Sequence, residues 1–502
     1  MRRLQAAGIG MVCLMAAVSA QAAGTLRIGI QDDPDLLDPA QGGTYPGRVV
    51  FTSLCDKLID LDAKMNFVPQ LATTWTWSND GRVLTLTLRQ GVTFQDGTPM
   101  DADAVKINLD RYRYAPESVR KAELKAVSAV EVVDPQTVRL VLSQPFAPLI
   151  ATLADRAGMM ASPKAIAALG KNFATAPVCA GPFKFTERVA QDHITLDRFP
   201  GYWNASTIHL DRVVFHPIAD STVRLVDLRG GQLDMIEQLA PSDVAQVQAD
   251  PKLRIDRASS LGYEALTINV GNGPAADTKF GRDARVRQAL ELAIDRNALN
   301  QVVMDGQFVP DNQAELPDSP WYNKQLPIPA RDVAKARALL KEAGAEGITI
   351  GLRVPNTPHA IQVGEVIQSM AAEAGLTIKV LAGETNANID AMNRGDFQMH
   401  LSTWSGRSDP DANISIFLAS DGFQNWGHYV NPAFDDVLAK ARAATDLAQR
   451  AGLYHDAAAI YLKDLPDIYL YHMTWIWAHT AKLSGFVPVS DGMIRPQGLR
   501  MD

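Results

Sequence analysis

The chain has three cysteines in 502 residues, no apolar run of about 18 beyond its first residues, and no surplus of positive charge. Without such a run, no later segment reads as a membrane span. A net charge of -8 argues against nucleic acid and anionic membranes as partners. Catalytic signatures are missing too. HExxH, GxSxG, a Walker loop and CxxC spacing are all absent. The nine histidines are scattered, and His209 and His216, seven apart, fit neither helical nor strand spacing for a metal pair. An enzyme, a metal and a cofactor are therefore not expected.

A soluble globular protein is left, 47% hydrophobic and 21% charged. Its length is too great for one core, so two or more lobes are expected. The N-terminus joins two arginines in "MRR" to the short apolar run "AAGIGMVCLMAAVSA" and the small-x-small "AQA" of Ala20 to Ala22. That pattern predicts a signal peptide over 1–22, cleaved near Ala22, and an exported protein. Cys13 falls in this leader. Cys55 and Cys179 remain, and an even pair in an exported chain favours a disulfide over two buried thiols.

Patterning divides the rest. "RVLTLTLRQG" alternates as a half-buried strand, and Asp101 or Asp103 can cap a helix over "ADAVKINLDRYRY". From Ile348 to Trp404 the order is strand "ITIGLRV", helix "HAIQVGEVIQSMAAEAG", strand "LTIKVLA", helix "NIDAMNRG" and strand "FQMHLSTW". Short connections in such a β-α-β-α-β run predict a parallel sheet. "DARVRQALELAIDRNAL" and "AQRAGLYHDAAAIYLKD" read as covering helices, and no linker tract appears, so short strands are expected to join the lobes.

Ligands of open parallel sheets bind beyond the strands' carboxyl ends. Asn356 and Thr357, Glu384, and Arg407 leave the three strands on that side. Arg407 is either a loop cation bonded to nearby Asp409 or Asp411, or a planar fork that grips a carboxylate. Trp404 and Trp426 are either core or a platform for an extended solute; Trp475 and Trp477, in an alternating strand pattern, read as core.

Along nearly its whole mature length the chain resembles the extracytoplasmic solute-binding proteins, family 5, of dipeptide, oligopeptide and nickel ABC importers. The resemblance is carried by "SLCDKLIDLDAKMNFVPQLATTWTWSNDGRVLTLTLRQGVTFQDGTPMDADAVKINLDR", "CAGPFKF", "RFPGYWN", "ARVRQALELAIDR" and "GDFQMHLSTW". It implies an α/β periplasmic binding protein-like fold (cluster C type), with two hinged lobes, mixed sheets and an extra subdomain. Lobe I would comprise 23–45, 182–265 and 480–502, the subdomain 46–181, and the ligand-gripping lobe II 266–479. Cys55 and Cys179 would stand near the subdomain's entry and exit. "GGTYPGR" resembles a ligand-facing loop, which adds Thr44 and Tyr45 to the candidate site.

Peptide-binding relatives carry an aspartate three residues beyond the tryptophan of the "GDFQMHLSTW"-like strand, paired with the peptide's amino terminus. Arg407 occupies that position here, a reversal of charge that Asp409 or Asp411 could offset. The resemblance implies a monomer in the periplasm, capturing a small peptide or peptide-like charged solute for an ABC permease. Nickel chelates, opines and oligosaccharides are alternative solutes within the family.

Overall fold

The computed structural model describes residues 24–502; the expected signal peptide and Cys13 lie outside the described residues. The first lobe opens with β1 (Thr25–Ile30), which buries Leu26, Ile28 and Ile30. Next comes α1 (Tyr45–Leu54), capped by the Thr44 hydroxyl, which accepts from the Gly47 amide. Its Val49, Val50, Phe51 and Leu54 join Ile28, Phe183 and Trp477 in one core.

The chain then builds a separate antiparallel sheet from β2 (Ala72–Trp77), β3 (Val83–Leu88), β4 (Val127–Asp134) and β5 (Thr137–Leu142), in the order β2-β3-β5-β4. The Val/Thr–Leu alternation does what its period predicts, burying Leu84, Leu86 and Leu88. Helix α2 (Ala102–Tyr114) covers this sheet, and Asp101, not Asp103, caps it, accepting from the Ala104 amide at 3.0 Å. Cys55 and Cys179 form a disulfide with their Cα atoms 4.9 Å apart. Both belong to the same core as α1.

Strands β6 (Phe183–Val189), β7 (His193–Arg198), β8 (Arg212–Pro217) and β9 (Met235–Ile236) complete lobe I around β1. The chain leaves along β10 (Leu253–Ile268). The sequence expected as one helix at "DARVRQALELAIDRNAL" is two, Ala284–Ala293 and Arg296–Met304, because Asp295 turns out of the first and caps the second. Lobe II then runs β11 (Thr349–Pro355), α3 (Pro358–Glu373), β12 (Thr377–Gly383), α4 (Thr385–Asn393) and β13 (Met399–Trp404). As the pattern predicts, β11 is parallel to both β12 and β13. Gly375 and Gly395, each just past a helix, take φ of 89° and 75°, where a side chain would be strained. Helices α5 (Asp411–Leu418), α6 (Pro432–Ala443) and α7 (Leu447–Asp464) precede the returning strand β14 (Asp467–Thr480).

The lobes are joined by two long strands rather than short ones. A single sheet runs β12-β11-β13-β10-β14-β9-β1-β8-β7-β6, and β10 and β14 pass through both halves. Their pairing breaks register between Ser259 and Tyr263. On one side of that break β10 pairs with β14 alone; on the other, Tyr263–Ile268 also pairs with β13. Phe183–Phe185, just past the Cys179 end of the disulfide, lies in β6 at the far edge of lobe I.

Candidate functional site

The loop after β13 is locked to the break in β10 by backbone contact. Gly406 adopts φ of 74°, and a Cβ there would lie 2.2 Å from the Leu261 carbonyl carbon. A Cβ on Gly262 would in turn meet the Trp404 carbonyl oxygen at 2.0 Å. Only glycine permits this approach on both sides. Asn413 then fixes the loop's course. Its Oδ1 accepts from the Arg407 amide at 2.7 Å and the Trp404 indole at 3.0 Å, and its Nδ2 donates to the Arg407 carbonyl at 2.9 Å.

So held, the Arg407 guanidinium lies over the Trp404 ring, 4.6 Å from its centroid, with 20% of the side chain exposed. Its Nη1 donates to the Gly406 carbonyl at 2.6 Å, and its Nε stands 3.2 Å from Oδ2 of Asp155. Asp155 comes from the other side of the cleft, where its carboxylate also accepts from the Arg156 amide at 2.8 Å and from Arg48 Nε at 3.2 Å. Arg48 is on α1, three residues past Tyr45. Arg156 donates to the Gly42 and Thr44 carbonyls, and Arg120 to the Gly42 carbonyl.

Cations crowd here. Burial, then Arg48, pushes Arg407 down to about 10. Burial brings Arg156 down to about 9, with Arg120, Arg407 and Arg48 opposing the help of Asp155. Burial alone would raise the Asp155 carboxyl, but Arg48, Arg407, Arg156 and Arg120 outweigh it and hold it well below the usual range. Arg48, Asp155 and Arg407 border a small cavity of about 20 Å³, room for about one water, whose lining also includes Lys57, Asp491 and Met493.

The sequence-predicted residues fall into separate groups. Arg407 lines the cavity, and Trp404 lies under its guanidinium. Tyr45, at the start of α1, is stacked on Trp475 with centroids 4.9 Å apart and donates to the Gly492 carbonyl at 3.0 Å. Thr44 caps α1 and donates its hydroxyl to Asp35 at 2.8 Å. Asp409 and Asp411 are not partners of Arg407. Arg450 takes both oxygens of Asp409, at 2.5 and 2.7 Å, and Arg442 holds Asp411 at 2.6 Å. Both carboxylates are buried within lobe II and already committed.

Trp426 donates to Asn393 at 3.0 Å and borders a second cavity of about 410 Å³; Phe417 stands between its ring and that of Trp404. Asn356 donates to Glu384 at 2.6 Å and Thr357 caps α3, so the three form an exposed cluster at the outer strands. Their hydrogen bonds do not reach the arginines. Arg48, Arg156 and Asp155 escaped the sequence reading: "GGTYPGR" contained the first, but nothing near "LADRAG" signals a site.

The family model for bacterial extracellular solute-binding proteins, family 5 Middle, matches residues 66–425. The chain is 31% identical over 496 residues to the glutathione-binding protein GsiB of Salmonella typhimurium, covering 96% of this chain and 95% of the relative. The GsiB protein of Escherichia coli O157:H7 is 30% identical over 494 residues, covering 95% and 94%. Among solved structures, AgaA of A. tumefaciens R10 in complex with agropinic acid superposes with a TM-score of 0.82 at 25% identity, over 95% of this chain and 99% of that one. Helicobacter pylori DppA in complex with the peptide STSA gives 0.82 at 26% identity, over 95% and 98%. The chain belongs to the bacterial extracellular solute-binding proteins of family 5.

Proposed function

We propose that the protein captures an anionic peptide-like solute in the periplasm, after loss of residues 1–22, and delivers it as a monomer to the membrane subunits of an ABC permease. One observation carries this reading. Arg48, Arg156 and Arg407, drawn from both sides of the cleft, share the single carboxylate of Asp155 beside a cavity. Guanidinium forks in excess at a place sheltered from water suit a carboxylate ligand, and shelter strengthens each contact. The GsiB relatives are glutathione-binding by name, AgaA holds agropinic acid, and glutathione is a peptide with two carboxylates.

In this reading the lobes swing about the register break of β10 and the facing part of β14. Gly262 and Gly406 move together because their backbones interlock, so closure carries Arg407 toward Arg48. Trp404 and Tyr45 supply flat apolar area, with Thr44 beside them. Trp426, Asn356, Thr357 and Glu384 form an outer fringe, and Asp409 and Asp411 act by holding the loop in place.

Thermal-shift measurements on the mature protein test this, with glutathione, acidic peptides, amidated peptides, a nickel–histidine chelate and neutral oligosaccharides. Carboxylate-bearing peptides should raise the melting temperature by mass action and be recovered intact. Stabilisation by the chelate or the saccharides alone would overturn the reading.

A further inference from the structure

The charges around the cleft can be tallied, and they do not cancel. Arg48, Arg156 and Arg407 face one carboxylate, Asp155; Arg120 pairs with Glu123. The remaining charges against the cavity form a closed set. Lys57 bonds Asp60, while Arg495 bonds Asp60 at 2.9 Å and Asp491 at 2.7 Å, two cations with two anions. The surplus is thus two positive charges.

Asp155 cannot absorb that surplus. One of its oxygens already serves Arg48 and the Arg156 amide, and the other serves Arg407. Yet Nη1 of Arg48 and Nε of Arg120 and Arg156 are buried with no hydrogen-bond partner in the protein. The side chains of these three arginines are only 7%, 5% and 3% exposed. Buried guanidinium nitrogens without acceptors are costly, and a cost of that kind at a ligand cleft points to an acceptor the ligand brings. Of these three arginines Arg48 is the one that lines the cavity, as Arg407 does.

Resting on the function proposed above, we infer that the solute carries two negative groups, one for Arg48 on the α1 wall and one for Arg407 on the lobe II wall, with Asp155 between them. A single carboxylate would leave one wall unmatched. Arg48 is then a specificity-determining residue, and the site discriminates by the number of charges as well as by their sign.

Calorimetric titration of the mature protein with Ala-Ala-Glu and Ala-Ala-Gln tests the inference, since the two differ by one carboxylate at nearly equal shape. The glutamate peptide should bind at least tenfold more tightly. Arg48→Gln should bring the two within threefold, whereas Arg48→Lys, which keeps the charge, should retain the preference. Equal affinity of the wild-type protein for both peptides would overturn the two-charge inference and leave the proposed function standing. A preference that survives Arg48→Gln would also overturn it. Failure of both peptides, with a neutral saccharide binding instead, would overturn the proposed function together with this inference.

Discussion

Two groups of arginines frame the segment from Trp404 to Leu418, and they are built on opposite plans. Within lobe II, Arg450 meets Asp409 and Arg442 meets Asp411, one cation to one anion, with the Asp409 oxygens held in a two-pronged grip. At the cleft, three arginines crowd one aspartate and leave nitrogens unpaired. Matched pairs neutralise themselves and define how the loop packs. In the proposed reading, an unmatched set is a cost to the folded protein that a ligand offsets. Asp409 and Asp411 are paired within lobe II, and in that reading the cation of the loop, Arg407, is left for the solute.

This contrast can be broken from either side. The largest effect should come from Arg450→Ala, which strands the buried Asp409 carboxylate and should cost about 3–5 kcal/mol in urea unfolding. The folded fraction should lose solute affinity by less than Arg407→Ala does, because Asp409 reaches the solute only through the loop it holds. Arg407→Ala should do the reverse. Its cation is one of several around Asp155, so unfolding should shift by about 1 kcal/mol or less, while affinity for an acidic peptide falls at least tenfold. A change within twofold for every ligand would remove Arg407 from the site.

The smallest effect belongs to a pair of a third kind, His359 with Glu264, 3.3 Å apart and 40% exposed on the histidine side. Burial opposes the imidazolium, but the hydrogen bond and charge of Glu264 outweigh it and raise the His359 pKa. A raised value contributes stability that is complete below the unfolded histidine's pKa and fades as pH climbs through the folded one. Glu264 is depressed, its burial outweighed by His359, so its share is lost as pH falls below the ordinary glutamate range. Between pH 5.5 and 8, wild type should lose about 0.5 kcal/mol more than His359→Gln, a small figure because solvent screens the pair. An identical pH dependence in both proteins would dismiss the pair as a contributor.

Much of the fold was legible. The strand–helix alternation from Ile348 to Trp404, the cap at Asp101 (one of two aspartates the pattern offered), and the helix ends at Gly375 and Gly395 all appear where the pattern puts them. The split helix was harder, because Asp295 lies in a window that still reads as amphipathic and only its capping of the Ala298 amide ends the first helix. The proposed site drew on the sequence only in part. Arg407, Trp404 and Tyr45 stood in stretches that strand order or resemblance singled out. Asp155 and Arg156 lay in a helical turn of the subdomain, with no local pattern to mark them.

The sequence by itself determined what neighbours a few residues apart can decide: periodicity, caps, glycine turns, and the family through the order of its motifs. Tertiary structure alone decided which charges pair. A carboxylate's partner depends on which distant segments the long strands β10 and β14 bring within about 4 Å, and electrostatic attraction falls away over distances far shorter than the chain. Asp409 therefore went to Arg450, two helices later, and Arg407 to an aspartate from the opposite wall.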